Sequence, residues 1–243
     1  MGDSVPEVWA AVNPSMGVTV QLEFFADQLS RKPENVFRRY FLNQWTEAEE
    51  GWITPAEWDA CRGEPTVTAD VPCWVGVDIG RKKDSTAIVA ACLVEGDLHV
   101  RQLIRVPTSW RPVAVADARA DIAQLHDELD VEEVVYDPYL FAESAEMLTE
   151  RRITMVEFPQ NDSRMAPASE ALYELIRAGR VVHDGDPEMR SQMLAAVPSQ
   201  TERGVRISKR KSKRRIDAAV ALAMAADRAM HGEQQAPYIE VFG

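Results

Sequence analysis

Three consecutive β-rich runs constrain the fold of this chain more than any other feature. They are CWVGVDIG from Cys73, STAIVAACLV from Ser85 and LHVRQLIRV from Leu98, separated by the short segments RKKD and EGD. Connections this short join neighbouring antiparallel strands, so the runs predict a three-strand meander. The main domain of the chain is therefore expected to be built around a sheet.

Helices and short strands alternate after the meander. Helical periodicity marks 113–129, 142–152 and 169–180, and EEVVYD and TMVEF indicate short strands between them. VPSQ and GVRIS predict a hairpin, and the run RRIDAAVALAMAADRAM predicts a long final helix. The order βββ, α, β, α, β, α predicts an α/β domain with a mixed sheet, in which the strand ending at Asp137 can run parallel to the first.

The residues before about 66 have a different character. Four of the six tryptophans lie there, and the segment has no strand alternation. VTVQLEFFADQLSR predicts a helix, and TPAEWDACRG carries a helix start signal with proline at the first helical position. GEPTVTADVP, rich in Gly, Pro and Thr, marks a boundary. We therefore predict an aromatic-rich connector over 1–66, a sheet domain over 67–232 and a tail over 233–243.

Composition excludes several classes of protein. Hydrophobic residues make up 46% of the chain, enough to fill a core. No apolar run reaches the roughly 18 residues that cross a bilayer, and the acidic start is unlike a signal peptide, so we expect neither membrane insertion nor export. Three cysteines without a C-x-x-C pair, and four histidines, support neither a disulfide framework nor a zinc site. A reducing compartment fits this cysteine usage.

Three aspartates occupy positions at which a carboxylate needs a partner. Asp78 interrupts the apolar first strand, where an unpaired charge would cost several kcal/mol. Asp137 follows EEVVY, at the carboxyl edge where open α/β sheets bind their ligands. Asp217 lies in the first turn of the final helix. Each also has an ordinary explanation, because a strand-end aspartate can be a turn residue and a first-turn aspartate can offset the helix dipole.

Taken together, the three aspartates predict a metal site. If the strand before Asp137 lies beside the first strand and the final helix packs on that sheet, Asp78, Asp137 and Asp217 reach the same point. Converging carboxylates repel unless cations are shared, and hard oxygen ligands favour Mg²⁺ or Mn²⁺. Two such ions suit phosphodiester cleavage. Asp84, six residues after Asp78, is either a hairpin-turn residue or a further metal ligand.

A basic run indicates which partner such a site would have. The net charge of the whole chain is −12, which taken alone argues against a polyanion. Residues 201–215 hold eight Lys and Arg against one acid, a local charge of +7, so the rest of the chain carries −19. Such a run is either a solvated segment or a loop that grips phosphates beside Asp217. The DNA-binding candidates are Lys209, Arg210, Lys211, Lys213, Arg214 and Arg215.

The ordered motifs resemble one family. VGVDIGRKKDSTAIVA, VVYDPY and SKRKSKRRIDAAVALAMA are similar to the nuclease domain of the large terminase subunit of tailed bacteriophages. WAAVNPS, RRYFLNQW and GWITPAEWDAC resemble the connector that precedes this nuclease. The resemblance runs from about Trp9 to about Met230 and implies an RNase H-like fold, similar to that of retroviral integrases.

The resemblance also implies a function. A divalent-metal-dependent endonuclease would cut concatemeric double-stranded DNA by two-metal-ion phosphodiester hydrolysis, in the cytoplasm of an infected or lysogenic bacterium. Asp78, Asp137 and Asp217 would be the catalytic triad, with Asp78 shared by two Mg²⁺ or Mn²⁺ ions, and Asp84 matches an acidic residue that often follows the first. A packaging ATPase domain, a small terminase subunit and a portal are implied partners. No G-x-x-x-x-G-K-[ST] phosphate loop occurs in the sequence, so we expect no ATPase site in it.

Three other interpretations remain open at this point. A resolvase or transposase nuclease of the same fold would use similar acidic positions. A non-catalytic DNA-binding module would suit the basic run alone. VGVDIGRKKDSTAI could also be the first phosphate-binding hairpin of an actin-like or sugar-kinase-like ATPase, but YDPYLFAES offers Pro and Tyr where a second glycine-containing phosphate loop is needed.

Overall fold

The secondary structure follows the alternation expected from the sequence. A computed structural model of the protein describes residues 9–10, 12–32, 34–43, 51–80, 84–108 and 112–231. The predicted tail over 233–243 lies outside them. No helix in these ranges is both long enough and apolar enough to cross a bilayer.

The strands and helices are as follows. The strands are β1 (Cys73–Asp78), β2 (Thr86–Val94), β3 (Asp97–Arg105), β4 (Val131–Tyr136), β5 (Met155–Glu157), β6 (Val181–Val182), β7 (Pro198–Thr201) and β8 (Gly204–Ile207). The helices are α1 (Leu22–Arg31), α2 (Glu34–Phe41), α3 (Pro55–Ala60), α4 (Val115–Glu128), α5 (Pro138–Glu150), α6 (Asp162–Arg177), α7 (Pro187–Ala195) and α8 (Asp217–His231).

Six strands form one mixed sheet in the order β5-β4-β1-β2-β3-β6. Strands β1, β2 and β3 make the predicted antiparallel meander. Strand β4 runs parallel to β1 with Val77 opposite Tyr136, so Asp78 and Asp137 stand at neighbouring positions at the end of the two strands. Strands β7 and β8 pair separately as the predicted hairpin. This mixed sheet flanked by helices confirms the predicted fold class.

Both faces of the sheet are buried, and β2 shows this most directly. Ala87, Val89 and Ala91 pack in the core that includes residues of α6 and α8. Ile88 and Ala90 pack in the opposite core, with residues of α4 and α5. Successive side chains of a strand point to opposite faces, so a strand covered on both sides is apolar throughout.

A glycine lets α8 lie directly on β1. A Cβ atom at Gly76 would be 2.0 Å from the carbonyl oxygen of Ala221, so a larger residue would force the helix away. The helix meets the sheet with small side chains, and its buried alanines are Ala218, Ala219, Ala221, Ala223, Ala225, Ala226 and Ala229. This close packing carries Asp217, the first residue of α8, to the end of β1 where Asp78 lies.

The predicted connector contains two different clusters. Trp52 and Trp58 belong to the core on the α6 and α8 face of the sheet, and the Trp58 ring stacks on His183 at a centroid distance of 4.1 Å. A second cluster is made by Trp9, Phe25, Phe37 and Leu42. It is linked to α6 by an ion pair between Lys32 and Glu170 at 2.9 Å. The domain boundary near residue 66 stays a prediction.

Candidate active site

Asp78 and Asp217 lie together at the end of β1, almost wholly out of solvent. Their side chains are 4% and 2% exposed. Oδ1 of Asp78 accepts a hydrogen bond of 3.0 Å from Nε2 of Gln160. Oδ2 of Asp217 accepts bonds from the backbone nitrogen of Ser85 at 2.8 Å and from its hydroxyl at 2.7 Å. One oxygen of each carboxylate is therefore held by neutral donors.

The ammonium of Lys209 bridges the two remaining oxygens. Its Nζ lies 2.5 Å from Oδ2 of Asp78 and 3.0 Å from Oδ1 of Asp217. Within the described residues, Oδ2 of Asp78 accepts no hydrogen bond of ordinary geometry, so this ion pair is its electrostatic compensation. Lys209 lies in the segment between β8 and α8, whereas the two acids belong to a strand and a helix. The site is thus a pair of buried acids around one positive centre.

Burial dominates the electrostatics of this pair. It raises the pKa of Asp78 to about 6, with Lys209 opposing the shift and Asp217 adding to it. Burial also lowers the pKa of Lys209, but the two carboxylates outweigh it and raise that pKa above its usual value. Lys209 is therefore charged at neutral pH, and Asp78 ionises in a mildly acidic range.

Three polar residues that support the acids were missed by the sequence analysis: Ser85, Gln160 and Gln192. The buried amide of Gln192 donates to the Ser85 hydroxyl at 2.9 Å and accepts from the backbone nitrogen of Ala218 at 2.8 Å. A Cβ at Gly80 would lie 2.4 Å from the carbonyl oxygens of Asp84 and Ser85, so this glycine permits the close backbone approach that leaves Ser85 beside Asp217. A signal existed for Gln160, because it follows β5 at the same carboxyl edge as Asp137.

Asp137 and Asp84 lie further out. Asp137 caps α5 by accepting from the backbone nitrogen of Tyr139 at 3.0 Å, and it lines a cavity of about 150 Å³ together with Asp78 and Lys209. Asp84 is exposed and lines a separate cavity of about 590 Å³ with Asp217 and Lys209.

The described residues contain no group of three His, Cys, Asp or Glu side chains arranged to hold a metal ion by themselves. The structure therefore brings Asp78 and Asp217 together and places Asp137 on the cavity beside Asp78. The triad, and Asp84 as a further ligand, stay predictions.

Basic residues surround the entrance to the acids. Lys213, Arg214 and Arg215 line the cavity of about 590 Å³ that reaches Asp217. Arg210 lines a second open cavity of about 890 Å³, which also contains Arg203 and Arg206. Lys209 lines both of these cavities and the small one beside Asp137. Within this basic run, Lys209 forms ion pairs with both acids.

The family follows from a comparison with known proteins. Residues 4–111 and 110–233 match the family described as terminase large subunit, endonuclease domain. The chain belongs to this family. The resemblance stated from the sequence motifs is therefore confirmed.

Two curated relatives are longer than the part that this chain matches. The large terminase subunit of Enterobacteria phage HK97 is 26% identical, over 90% of this chain and 50% of that protein. Protein YmfN of Escherichia coli (strain K12) is also 26% identical, over 98% of this chain and 63% of that protein. The terminase endonuclease domain therefore spans between half and two thirds of the length of these relatives.

Solved structures confirm the RNase H-like fold of this terminase endonuclease domain. The crystal structure of the HK97 large terminase aligns with a TM-score of 0.67 at 24% identity, over 93% of this chain and 54% of that one. The magnesium-bound large terminase nuclease of thermophilic phage G20c aligns with a TM-score of 0.54 at 18% identity, over 68% of this chain and 85% of that one. At such identities the similarity concerns the fold.

Proposed function

We propose that this chain is the divalent-metal-dependent endodeoxyribonuclease of a viral DNA-packaging terminase, and that it cuts concatemeric double-stranded DNA. One observation carries the proposal: Asp78 and Asp217, both buried, converge on a single positive centre beneath cavities lined by basic residues. Buried acids are costly to a fold, so a pair of them at a cavity, in a chain of an endonuclease-domain family, indicates a role in the chemistry.

The residues present fit a divalent cation. Carboxylate oxygens are the ligands that Mg²⁺ and Mn²⁺ prefer, and Oδ2 of Asp78 is buried without an ordinary hydrogen bond. Asp137 lines the cavity next to this oxygen. Structures of the related G20c nuclease contain bound magnesium and bound cobalt. We assign Asp78, Asp137 and Asp217 as the residues that would hold two ions, with Asp78 shared, and Asp84 as an additional ligand at the rim.

The protein's own residues prepare the site for this chemistry. Bound divalent ions would supply a more acidic water and neutralise charge on the phosphate. Gln160 and Ser85 each fix one oxygen of an acid, which leaves the other oxygen of each acid available to hold an ion. Gln192 in turn holds the Ser85 hydroxyl, so the orientation of Asp217 is set by a chain of hydrogen bonds within the core. Such pre-organisation lowers the cost of reaching the reactive arrangement.

The basic run supplies the contacts to DNA in this proposal. Lys213, Arg214 and Arg215 line one open cavity beside the acids and Arg210 lines the other, so a DNA backbone could cross Lys209 between them. Lys211 extends the same positive surface. Backbone contacts carry little base information, so we expect cleavage that is largely independent of sequence.

The length of the chain bears on its partners. The HK97 large terminase is about twice as long as the part that this chain matches. We therefore propose that cutting is coupled to a packaging ATPase domain, a small terminase subunit and a portal, in the cytoplasm of a bacterial host. The family match favours this assignment over a resolvase, a transposase or an actin-like ATPase.

Cleavage of supercoiled plasmid tests the proposal. With Mg²⁺ or Mn²⁺ we expect nicked and linear products, and none with EDTA. Asp78→Asn and Asp217→Asn should each lower the rate by about 10³-fold, because a ligand for the metal is lost while the shape is kept. Asp227→Asn is the matched control. This half-buried acid lies on α8 about 15 Å along the helix from Asp217, so the variant protein should cut plasmid at the normal rate.

Two outcomes would contradict the assignment. Undiminished cutting by Asp78→Asn would remove that residue from the site and with it the basis of the proposal. Absence of cutting by the unaltered chain in both metals, with DNA binding retained, would favour the non-catalytic DNA-binding module.

A further inference from the structure

We propose that Lys209 is a built-in cation that closes the metal site until DNA arrives. Its ammonium holds the position of a divalent ion between Asp78 and Asp217, and it moves to a DNA phosphate when the ion takes that position. This regulation rests on the proposed nuclease function and concerns the same site.

The Lys209 ammonium and a divalent ion would need the same two carboxylate oxygens. Nζ of Lys209 touches Oδ2 of Asp78 and Oδ1 of Asp217, while Gln160 and Ser85 hold the other two oxygens. An Mg²⁺ ion bound to the unheld oxygens would lie about 2.1 Å from each, within the volume that the ammonium fills. The two cations therefore exclude each other.

The net charge of the buried site also favours exchange of Lys209 for a divalent ion. Lys209 neutralises one of the two acids, which leaves a single excess negative charge in a buried place. For the two buried acids alone, a divalent ion added while Lys209 stays would give an excess positive charge, whereas replacing Lys209 by the ion leaves the pair neutral. An uncompensated buried charge is expensive, so entry of the ion favours departure of the lysine.

Open cavities beside Lys209 could receive its ammonium when the ion displaces it. Its side chain is 37% exposed and lies where three cavities meet, two of them lined by further basic residues. Lys209 sits in a turn that Ser212 closes by donating to the carbonyl of Ser208. A change of rotamer alone would carry the ammonium into an open cavity, because lysine has a flexible four-carbon stem, and β8 and α8 would stay in place. A phosphate in that cavity would compensate the displaced charge.

This arrangement couples the two ligands. A DNA phosphate stabilises the Lys209 ammonium that the metal displaces, so DNA raises metal affinity, and by reciprocity the metal raises DNA affinity. In the absence of DNA the acids remain paired with the lysine, and the free nuclease would stay metal-poor.

Binding of Mn²⁺ to the full chain, without DNA, tests the competition directly. The six-line electron paramagnetic resonance signal of free Mn²⁺ counts unbound ion and does not depend on cleavage. We expect Lys209→Met to bind Mn²⁺ about 10-fold more tightly than the unaltered chain, within the usual range of coupling between two ligands. Lys209→Arg, which keeps a cation, should stay weak. Lys211→Met removes the same charge from an exposed position of the same segment and should leave Mn²⁺ affinity unchanged.

A second titration uses the unaltered chain and does not depend on whether a variant folds. Addition of a short DNA duplex should tighten Mn²⁺ binding by a similar, about 10-fold, factor. In Lys209→Met the duplex should change the Mn²⁺ affinity much less.

The possible outcomes distinguish failure of the role proposed for Lys209 from failure of the proposed nuclease function. Equal Mn²⁺ affinity in Lys209→Met and the unaltered chain, or no effect of DNA, together with metal-dependent plasmid cutting, would overturn the role of Lys209 and leave the nuclease intact. Absence of Mn²⁺ binding by all proteins, with and without DNA, would overturn both.

Discussion

The inner and outer acids of the site differ in what they contribute to the folded protein. Asp78 and Asp217 are buried, and their shared cationic partner is Lys209. Asp137 and Asp84 are half-buried and exposed, and Asp137 also caps a helix. The outer residues thus have ordinary structural positions. Burial of the inner pair costs folding free energy, and the position of these acids in the candidate active site accounts for that cost.

This difference teaches where function and stability oppose each other. A carboxylate removed from water loses its hydration, and Lys209 compensates only part of that loss, since the pKa of Asp78 remains raised. A neutral residue in place of Asp78 should therefore stabilise the protein and inactivate it. A neutral residue at an outer position should do little to stability as long as any cap is kept.

The largest expected effect on stability comes from Asp78→Asn. Burial raises the pKa of Asp78 to about 6 from its ordinary value of 3.8, so between these pH values the folded protein keeps a proton that the unfolded chain has released. The stability contributed by this carboxyl is present below about pH 4 and is lost as the pH rises through about 6. In EDTA, Asp78→Asn should have the same free energy of unfolding as the unaltered chain near pH 4 and exceed it by up to about 3 kcal/mol above pH 7.

Urea unfolding at a series of pH values measures this difference. If the difference in free energy of unfolding between Asp78→Asn and the unaltered chain does not change with pH, the pKa of Asp78 is not raised in the folded protein. A variant that becomes less stable as the pH rises would mean that the ion pair with Lys209 outweighs the cost of burial.

Two substitutions of the outer acid Asp137 separate its role as a helix cap from its proposed role as a metal ligand. Asparagine caps a helix as well as aspartate does, so Asp137→Asn should keep its stability, whereas Asp137→Ala should lose about 1 kcal/mol. Both should lose cleavage if Asp137 holds a metal ion. Asp186 caps α7 by accepting from Met189 at 2.7 Å, so Asp186→Ala should lose similar stability and still cut. Normal cutting by Asp137→Asn would leave Asp137 as a helix cap only.

The sequence was sufficient where local pattern determines position. The meander, the parallel strand before Asp137 and the helix that begins at Asp217 follow from strand runs, short turns and helical periodicity. Gly76 inside a strand and the alanine-rich final helix also carried a usable signal, since both indicate close approach of two backbones.

The sequence was insufficient where contacts join distant segments. Lys209 was grouped with the phosphate-binding residues, because nothing in a run of basic residues distinguishes one that turns inward. Gln192 reaches Ser85 across 107 positions of the chain, and neither residue is unusual in its own neighbourhood. Their roles depend on how α7 and α8 pack together, which periodicity does not specify.

The smallest expected effect is on the salt dependence of DNA affinity, measured for variants of Lys209 and of the outer lysines Lys211 and Lys213. Without divalent metal, the ammonium of Lys209 is engaged by the acids, so Lys209→Met should leave the salt dependence of DNA affinity nearly unchanged. The double variant Lys211→Met/Lys213→Met should lower the slope of log affinity against log salt by about 1.8, since each phosphate contact on duplex DNA contributes about 0.9. Fluorescence anisotropy with a labelled duplex in EDTA gives both slopes. An unchanged slope in the double variant would mean that these lysines are merely solvated, and an equal loss in Lys209→Met would place that lysine on a phosphate before any metal is bound.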